Sequence, residues 1–260
     1  MKIGFIGCGN LAISLIEGFK SKRVIKSSDI GFYSSDSDDI KKSICKKYGV
    51  ISYSTNAEVV AASDLIIIAI KPNIIFKVLD EIKQCDFKDK IILTVAAGVN
   101  SKDIAEKLSY DKVIRMMPNI LGSVGEGMFV IAENSNLKAE IDVITNLFCK
   151  IGKALVVGEQ YLAAVTAISG SAPAYVFMFI EALANGGIRE GLPSGISYEI
   201  ASQVVLGSAK LALESDMHPA QLREKVCSPA GTTIEAVASL ENDGFKAAVM
   251  NAVKKCANKS

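Results

Sequence analysis

The 260-residue chain has little of what most metal, redox-thiol and nucleic-acid chemistry requires. It carries a single histidine, His218, and none of its six cysteines (Cys8, Cys45, Cys85, Cys149, Cys227, Cys256) falls in a CxxC pair. A zinc site of the usual kind, built from clustered His and Cys, is therefore not expected. An even cysteine count allows disulfides. In a chain of this length, with no signal-peptide pattern ahead of its first strand, reduced intracellular thiols and a cytoplasmic location are the expectation. Net charge is also lacking: 29 Lys plus Arg against 28 Asp plus Glu leave +1. That balance offers no electrostatic ground for nucleic acid or an anionic membrane. Pairs such as Lys41-Lys42 and Lys254-Lys255 read as solvated helix faces. No run of about 18 apolar residues stands out, so no membrane span is expected.

Apolar residues make up 50% of the chain, enough for one large domain or two modest ones with a real core. The organising stretch is the first dozen residues. Residues 3–6 form a short apolar run that reads as a buried strand. It leads into Gly7-x-Gly9-x-x-Ala12, and a helical pattern follows through Leu15, Ile16 and Phe19. Strand, glycine turn and helix in this order form a dinucleotide-binding fingerprint. Gly7 permits the tight turn. Gly9 keeps side chain out of the space a pyrophosphate would occupy, and Ala12 lets helix and strand pack closely. The helix N-terminus adds free N–H groups and partial positive charge.

Further strands are expected at 30–33, 50–53, 64–70, 91–95, 113–116, 128–132 and 154–157, giving a sheet of seven or eight. The segment 64–70 is almost wholly aliphatic, as suits a central parallel strand covered on both faces. Lys71-Pro72, Ala96-Ala97-Gly98 and Met117-Pro118-Asn119 close three of these strands and together outline a crevice at their carboxyl ends. Strand 30–33 ends at Ser34-Ser35-Asp36, where an acidic residue would hold the adenosine ribose. Hydroxyls at the first two positions lean toward NADP over NAD. Asp36 leaves both open, and the two serines also read as plain loop residues before a helix from Ser37.

Beyond residue 157 strands give way to helices. Residues 162–188 are apolar almost all round, so that helix must be buried. Two chains sharing the region would bury it; a helix held between two domains of one chain is the alternative. A second long helix is expected at 196–214. His218-Pro219 reads as cap and first-turn proline of a short helix, which makes His218 structural. In Ser228-Pro229-Ala230-Gly231-Thr232-Thr233, Ser228 reads as the cap and Pro229 as the first helical residue. The N–H groups of Ala230, Gly231 and Thr232 would then be open to a small carboxylate, or the segment would be no more than a well-capped helix.

At this point the motifs resemble the pyrroline-5-carboxylate reductase family over essentially the whole chain. The matching pieces are residues 7–12, Ala69-Ile70-Lys71-Pro72, 96–99, 115–119, residues 165–175 with their Ser-Gly-Ser-x-Pro-Ala-Tyr run, and His218-Pro219 with 228–233. The resemblance implies an α/β Rossmann-like dinucleotide-binding domain (1–157). An all-α substrate-binding and dimerisation domain follows (158–260). It implies NAD(P)H-dependent reduction of 1-pyrroline-5-carboxylate to L-proline, the last step of proline biosynthesis. NADPH would be the cofactor, with NADH also possible, and homodimers would form through the C-terminal helices and assemble further into a decamer of five. Cofactor contacts carried over are Ile6, Gly7, Cys8, Gly9, Asn10, Leu11, Ser34, Ser35, Asn56, Ala69, Ile70, Lys71, Pro72, Ala96, Ala97 and Gly98. Substrate contacts are Ser228, Ala230, Gly231, Thr232 and Thr233, with the Thr233 hydroxyl at the ring nitrogen as the catalytic group. No metal is implied.

The chain departs from the family pattern at Ala230 and Ala172, where Gly is usual, at Ala163, where Asp is frequent, and at Ile120-Leu121 in place of Thr-Pro. Ala230 is harmless within a first helical turn and strained if its φ is positive. Other readings are a reductase of another cyclic imino acid and a non-catalytic NADP-binding sensor or scaffold. A β-hydroxyacid dehydrogenase would need a Lys four residues before Asn185, where Glu181 stands.

Overall fold

The computed structural model describes residues 1–259. These divide into two compact units, one of residues 1–171 with the C-terminal end of the chain, the other of residues 172–256.

The first unit is built on one eight-stranded sheet, in the order β3-β2-β1-β4-β5-β6-β7-β8. The strands are β1 (Ile3–Ile6), β2 (Ile30–Tyr33), β3 (Ile51–Ser52), β4 (Leu65–Ile68), β5 (Ile91–Thr94), β6 (Val113–Met117), β7 (Gly127–Ala132) and β8 (Gly152–Val157). Its helices are α1 (Asn10–Ser21), α2 (Asp38–Tyr48), α3 (Asn56–Ala62), α4 (Ile75–Ile82), α5 (Ser101–Leu108), α6 (Lys138–Phe148) and α7 (Leu162–Val165). Strands β3 to β6 of the sheet run parallel, β7 is antiparallel to β6, and β8 is parallel to β7. Ile3 of β1 lies between Ile30 of β2 and Leu65 of β4. The chain winds outward from β1 to β3, then crosses to β4 on the other side of β1. That reversal opens a crevice at the carboxyl ends of β1 and β4.

Every residue of β4 is buried, as a strand covered on both faces must be. It ends at Ile68, two residues short of the aliphatic run, because the chain there turns toward Lys71-Pro72. Helix α1 lays Ala12, Leu15, Ile16 and Phe19 against the sheet, all fully buried. Phe19 meets the Phe148 ring at 5.5 Å between centroids, and Phe129 meets it at 4.8 Å. Truncating Phe148 to Ala would empty this junction at a cost of about 3–5 kcal/mol.

The second unit holds α8 (Ala172–Arg189), α9 (Ser194–Glu214), α10 (Pro219–Val226), α11 (Thr232–Asn242) and most of α12 (Phe245–Ala257). Ser197 Oγ donates to the Ala184 carbonyl at 2.6 Å and pins α9 to α8. His218 caps α10: its Nδ1 accepts from the Ala220 N–H, and Gln221 Oε1 accepts from the His218 N–H. The structural reading of the one histidine holds.

The expected helix at 162–188 is helical but not uniform. Residues Thr166–Gly170 form a π turn, closed by the Ser171 N–H donating to the Thr166 carbonyl at 2.9 Å. Pro173, with no N–H of its own, cannot bond the Ser169 carbonyl four residues back. Asn119 Nδ2 donates to that carbonyl instead, at 3.3 Å. Within the helical stretch 159–189 an 18-residue window reaches a mean hydropathy of 1.6, so the stretch is long and apolar enough, by length and composition alone, to cross a membrane. This corrects the expectation of no such stretch. Interspersed Ser, Thr and Gly break a strict apolar run but hardly lower the mean of such a window. The helix is not buried within a single chain: Phe177 is 54% and Met178 68% exposed.

Candidate functional site

The crevice beside β1 and β4 is a cavity of about 640 Å³, the size of a small-molecule cofactor site. Ten of the expected cofactor residues line it: Ile6, Gly7, Cys8, Gly9, Ser34, Ser35, Asn56, Ala69, Ile70 and Lys71. All but Asn56, which opens α3, come from a strand end or the turn after it, because parallel strands deliver their carboxyl ends to one edge. Asn10, Leu11, Pro72, Ala96, Ala97 and Gly98 are not among its lining residues. Asn10 and Leu11 instead open α1, whose cap residue Gly9 makes no side-chain cap bond, so the first-turn N–H groups are uncovered.

The glycines behave as the fingerprint requires. Gly7 has φ +91°, and a Cβ on it would lie 2.5 Å from Ile70 Cγ2 and 2.6 Å from the Ala69 carbonyl oxygen. A Cβ on Gly9 would meet nothing within 4 Å. The space over Gly9 and the α1 N-terminus is thus open to a phosphate. Two buried polar atoms on the cavity residues have no partner: Ser34 Oγ and Asn56 Oδ1. An occupant with polar ribose groups satisfies both. These features fit a dinucleotide.

Cys8 is 4% exposed, and burial pushes its thiol up to about 12, with the Asp36 charge and then Cys45 adding to the effect. It is a neutral wall of the cavity, not a nucleophile.

Sequence reading missed Ile74, Lys77, Val78 and Glu81, which also line the cavity, as do Tyr33 and Asp36. The four missed positions are spaced i, i+3, i+4 and i+7, one face of the segment leading into and through α4. That periodicity was available in the sequence, but not the knowledge that this face turns to the crevice.

In the helical unit, the loop before α11 differs from its expected form. Helix α11 begins at Thr232 with Gly231 as its cap, so Ser228 is not the cap and Pro229 is not in the helix. Residues 228–231 form a turn closed by the Gly231 N–H donating to the Ser228 carbonyl at 3.0 Å. Proline at the second position and a left-handed Ala230 (φ +55°) at the third are the type II pattern, which favours Gly at the third. A left-handed residue cannot start an α-helix, so the helix waits until Thr232. The Gly231 N–H is consequently spent within the turn. The open donors are those of α11's own first turn, beginning at Thr232 and Thr233, and no side chain caps them. The loop's flanks are tied together by Arg223 and Glu241 at 3.2 Å, and Lys246 holds Glu241 at 2.6 Å. The Lys246 hydrogen bond keeps the Glu241 carboxyl below the usual carboxylate range.

Comparison with known proteins agrees with both units. Residues 159–260 match the family described as pyrroline-5-carboxylate reductase dimerisation, a module of homo-oligomers. Residues 2–98 match one described as NADP oxidoreductase, coenzyme F420-dependent. The pyrroline-5-carboxylate reductase of Escherichia coli K12 is 41% identical, over 100% of this chain and 97% of its own. The crystal structure of Plasmodium falciparum pyrroline carboxylate reductase with NADP bound superposes with a TM-score of 0.90 at 31% identity, covering 100% of this chain and 96% of that one. The Streptococcus pyogenes 1-pyrroline-5-carboxylate reductase gives a TM-score of 0.86 at 30% identity, with 100% and 97% coverage. With a parallel-sheet dinucleotide cleft, an uncapped helix behind a Ser-Pro turn, and identity of this order over its whole length, the chain belongs to the pyrroline-5-carboxylate reductase family.

Proposed function

We propose that this protein is an oxidoreductase that uses NAD(P)H to reduce 1-pyrroline-5-carboxylate to L-proline, the closing step of proline biosynthesis. One observation carries the reading in a chain of this family: α11 opens, without a side-chain cap, onto two adjacent threonines. The substrate is a cyclic imine with one carboxylate. Backbone N–H groups from Thr232 and Thr233 and the field of the helix end suit the carboxylate. The turn residues Ser228, Ala230 and Gly231 shape the approach to them. A bound NAD(P)H would supply the hydride to the C=N carbon, with a proton going to the nitrogen. The half-buried Thr233 hydroxyl orients the ring through its nitrogen and assists that proton. Rate then comes chiefly from holding two reactants in order, which needs no histidine.

The residues 1–157 constitute the cofactor domain in this reading, with Gly7 to Leu11 on the pyrophosphate, Ser34, Ser35 and Asn56 at the adenosine ribose, and 69–72 and 96–98 along the rest. Residues 158–260 constitute the substrate and dimerisation domain. Exposed Phe177 and Met178 are what a second chain covers, giving a homodimer, with five dimers as a decamer. The biosynthetic role goes with the cytoplasm, which fractionation tests.

The deciding experiment follows NAD(P)H absorbance with purified protein and 1-pyrroline-5-carboxylate, beside a six-membered cyclic imine. Oxidation dependent on the five-membered imine is expected. Its absence, with turnover of the larger ring, would overturn the substrate assignment.

A further inference from the structure

The cofactor cleft contains a polar pair that no fingerprint residue explains. Asn56, at the start of α3, is 5% exposed and donates through Nδ2 to Glu81 Oε2 on α4 at 2.8 Å. Both residues line the cavity, with Asp36, Lys71 and Lys77 as its other charged groups. A carboxylate only accepts hydrogen bonds. Glu81 therefore fixes which way the Asn56 amide faces: the NH₂ must point to Glu81, and the carbonyl oxygen Oδ1 is left over. That oxygen is buried and has no partner. Ser34 Oγ, the other unpartnered atom here, differs in kind, because a hydroxyl can either donate or accept.

We infer that Glu81 is a specificity-determining positioning residue: by locking Asn56 as an acceptor, it makes the cleft read a ribose hydroxyl and restrains its preference for a 2′-phosphate. This rests on the cofactor reading above. A ribose hydroxyl donates to Asn56 Oδ1 and recovers a buried acceptor that is otherwise unsatisfied. A 2′-phosphate presents only acceptor oxygens once ionised, so the same carbonyl repels it. Ser34 accommodates either group by rotating its proton. The cleft accordingly holds one adaptable contact and one fixed contact, and Glu81 governs the fixed one.

Glu81→Gln is nearly isosteric and lies on an exposed helix position, so it leaves the fold intact. Gln can offer either its carbonyl or its amide to Asn56, which frees Asn56 to turn an N–H toward a phosphate. The test is equilibrium binding of NADPH and NADH to wild type, Glu81→Gln and Glu81→Ala, followed by nucleotide fluorescence, with thermal unfolding of each variant alongside. The expected result is a shift of the NADPH-to-NADH Kd ratio toward NADPH by about fivefold or more in both variants, the scale of one hydrogen bond gained or lost. An unchanged ratio overturns the inference, and so does an equal loss of both affinities, which would make Glu81 merely structural. Wild-type protein that binds neither nucleotide overturns the cofactor reading as well.

Discussion

The Gly231 N–H donates to the Ser228 carbonyl at 3.0 Å, and this bond places Ala230 in the left-handed region at φ +55°. The Cβ of an L-residue costs about 1–2 kcal/mol in that conformation. Ala172, the other alanine where the family usually has glycine, opens α8 and is absent from the positive-φ residues. The two reversions should therefore act in opposite directions. Ala230→Gly should stabilise by up to about 1 kcal/mol after the added chain entropy of Gly is subtracted, and Ala172→Gly should destabilise by roughly 0.5–1 kcal/mol. Thermal or denaturant unfolding of the two variants checks this. Shifts of the same sign would mean that backbone strain at Ala230 is not what distinguishes the sites.

The two fingerprint glycines serve different ends and should fail differently. Gly7→Ala forces a Cβ against Ile70 and the Ala69 backbone at positive φ, and should cost about 2 kcal/mol or more. Gly9→Ala meets nothing in the protein, and its φ of −80° suits alanine. Stability should stay within about 0.5 kcal/mol, or rise slightly. Dinucleotide affinity should nevertheless fall about tenfold or more, because the methyl enters the space of the pyrophosphate. Unfolding and nucleotide-binding titrations run in parallel separate the two. Gly9→Ala with full affinity would mean the pyrophosphate lies elsewhere.

Cys8 makes a pH prediction. Its thiol moves from 9.0 to about 12, chiefly through burial. The neutral thiol's contribution to stability is complete below pH 9.0 and drains away as pH rises toward about 12, since the unfolded chain ionises first. By pH 10 the loss should be about 1 kcal/mol. Cys8→Ala should remove that part of the alkaline slope, whereas other groups with raised values, such as Tyr110, contribute equally to both proteins. Parallel urea midpoints from pH 8 to 10.5 for wild type and Cys8→Ala would sink the assignment.

The first-unit fold was legible because parallel sheets write themselves plainly. Aliphatic runs such as 64–70 can only be buried, and Gly7 and Gly9 mark where the first one turns. The crevice followed from the same logic, since strand ends share an edge. Three things were hidden. The face of Ile74, Lys77, Val78 and Glu81 has helical spacing, but spacing does not say which cavity a face adjoins. Ser228-Pro229 carries a true helix-start signal, yet one left-handed residue displaced the helix to Thr232, and φ is not written in the letters. The π turn at Thr166–Gly170 lies just ahead of Pro173, whose missing N–H leaves the Ser169 carbonyl to Asn119, a residue distant in sequence.

Thr233 provides the sharpest separation between chemistry and scaffolding. It is half-buried in the first turn of α11, and its N–H is available whatever its side chain, because the helix end supplies it. Removing the hydroxyl by Thr233→Ala should therefore spare the carboxylate contact and the helix, and strike only the contact with the ring nitrogen. The expected outcome is a fall in kcat/KM for the imine of about ten- to a hundredfold, with Kd for NADPH changed less than about twofold. Thr233→Ser retains a hydroxyl and should recover most of the loss, which a purely packing role of the γ-methyl would not allow. Steady-state kinetics with saturating cofactor, beside direct nucleotide titration, distinguish the cases. Equal loss of turnover and NADPH binding in Thr233→Ala, with no rescue by Ser, would make this threonine a structural residue, and the proton at the nitrogen would then have to come from solvent or from another group.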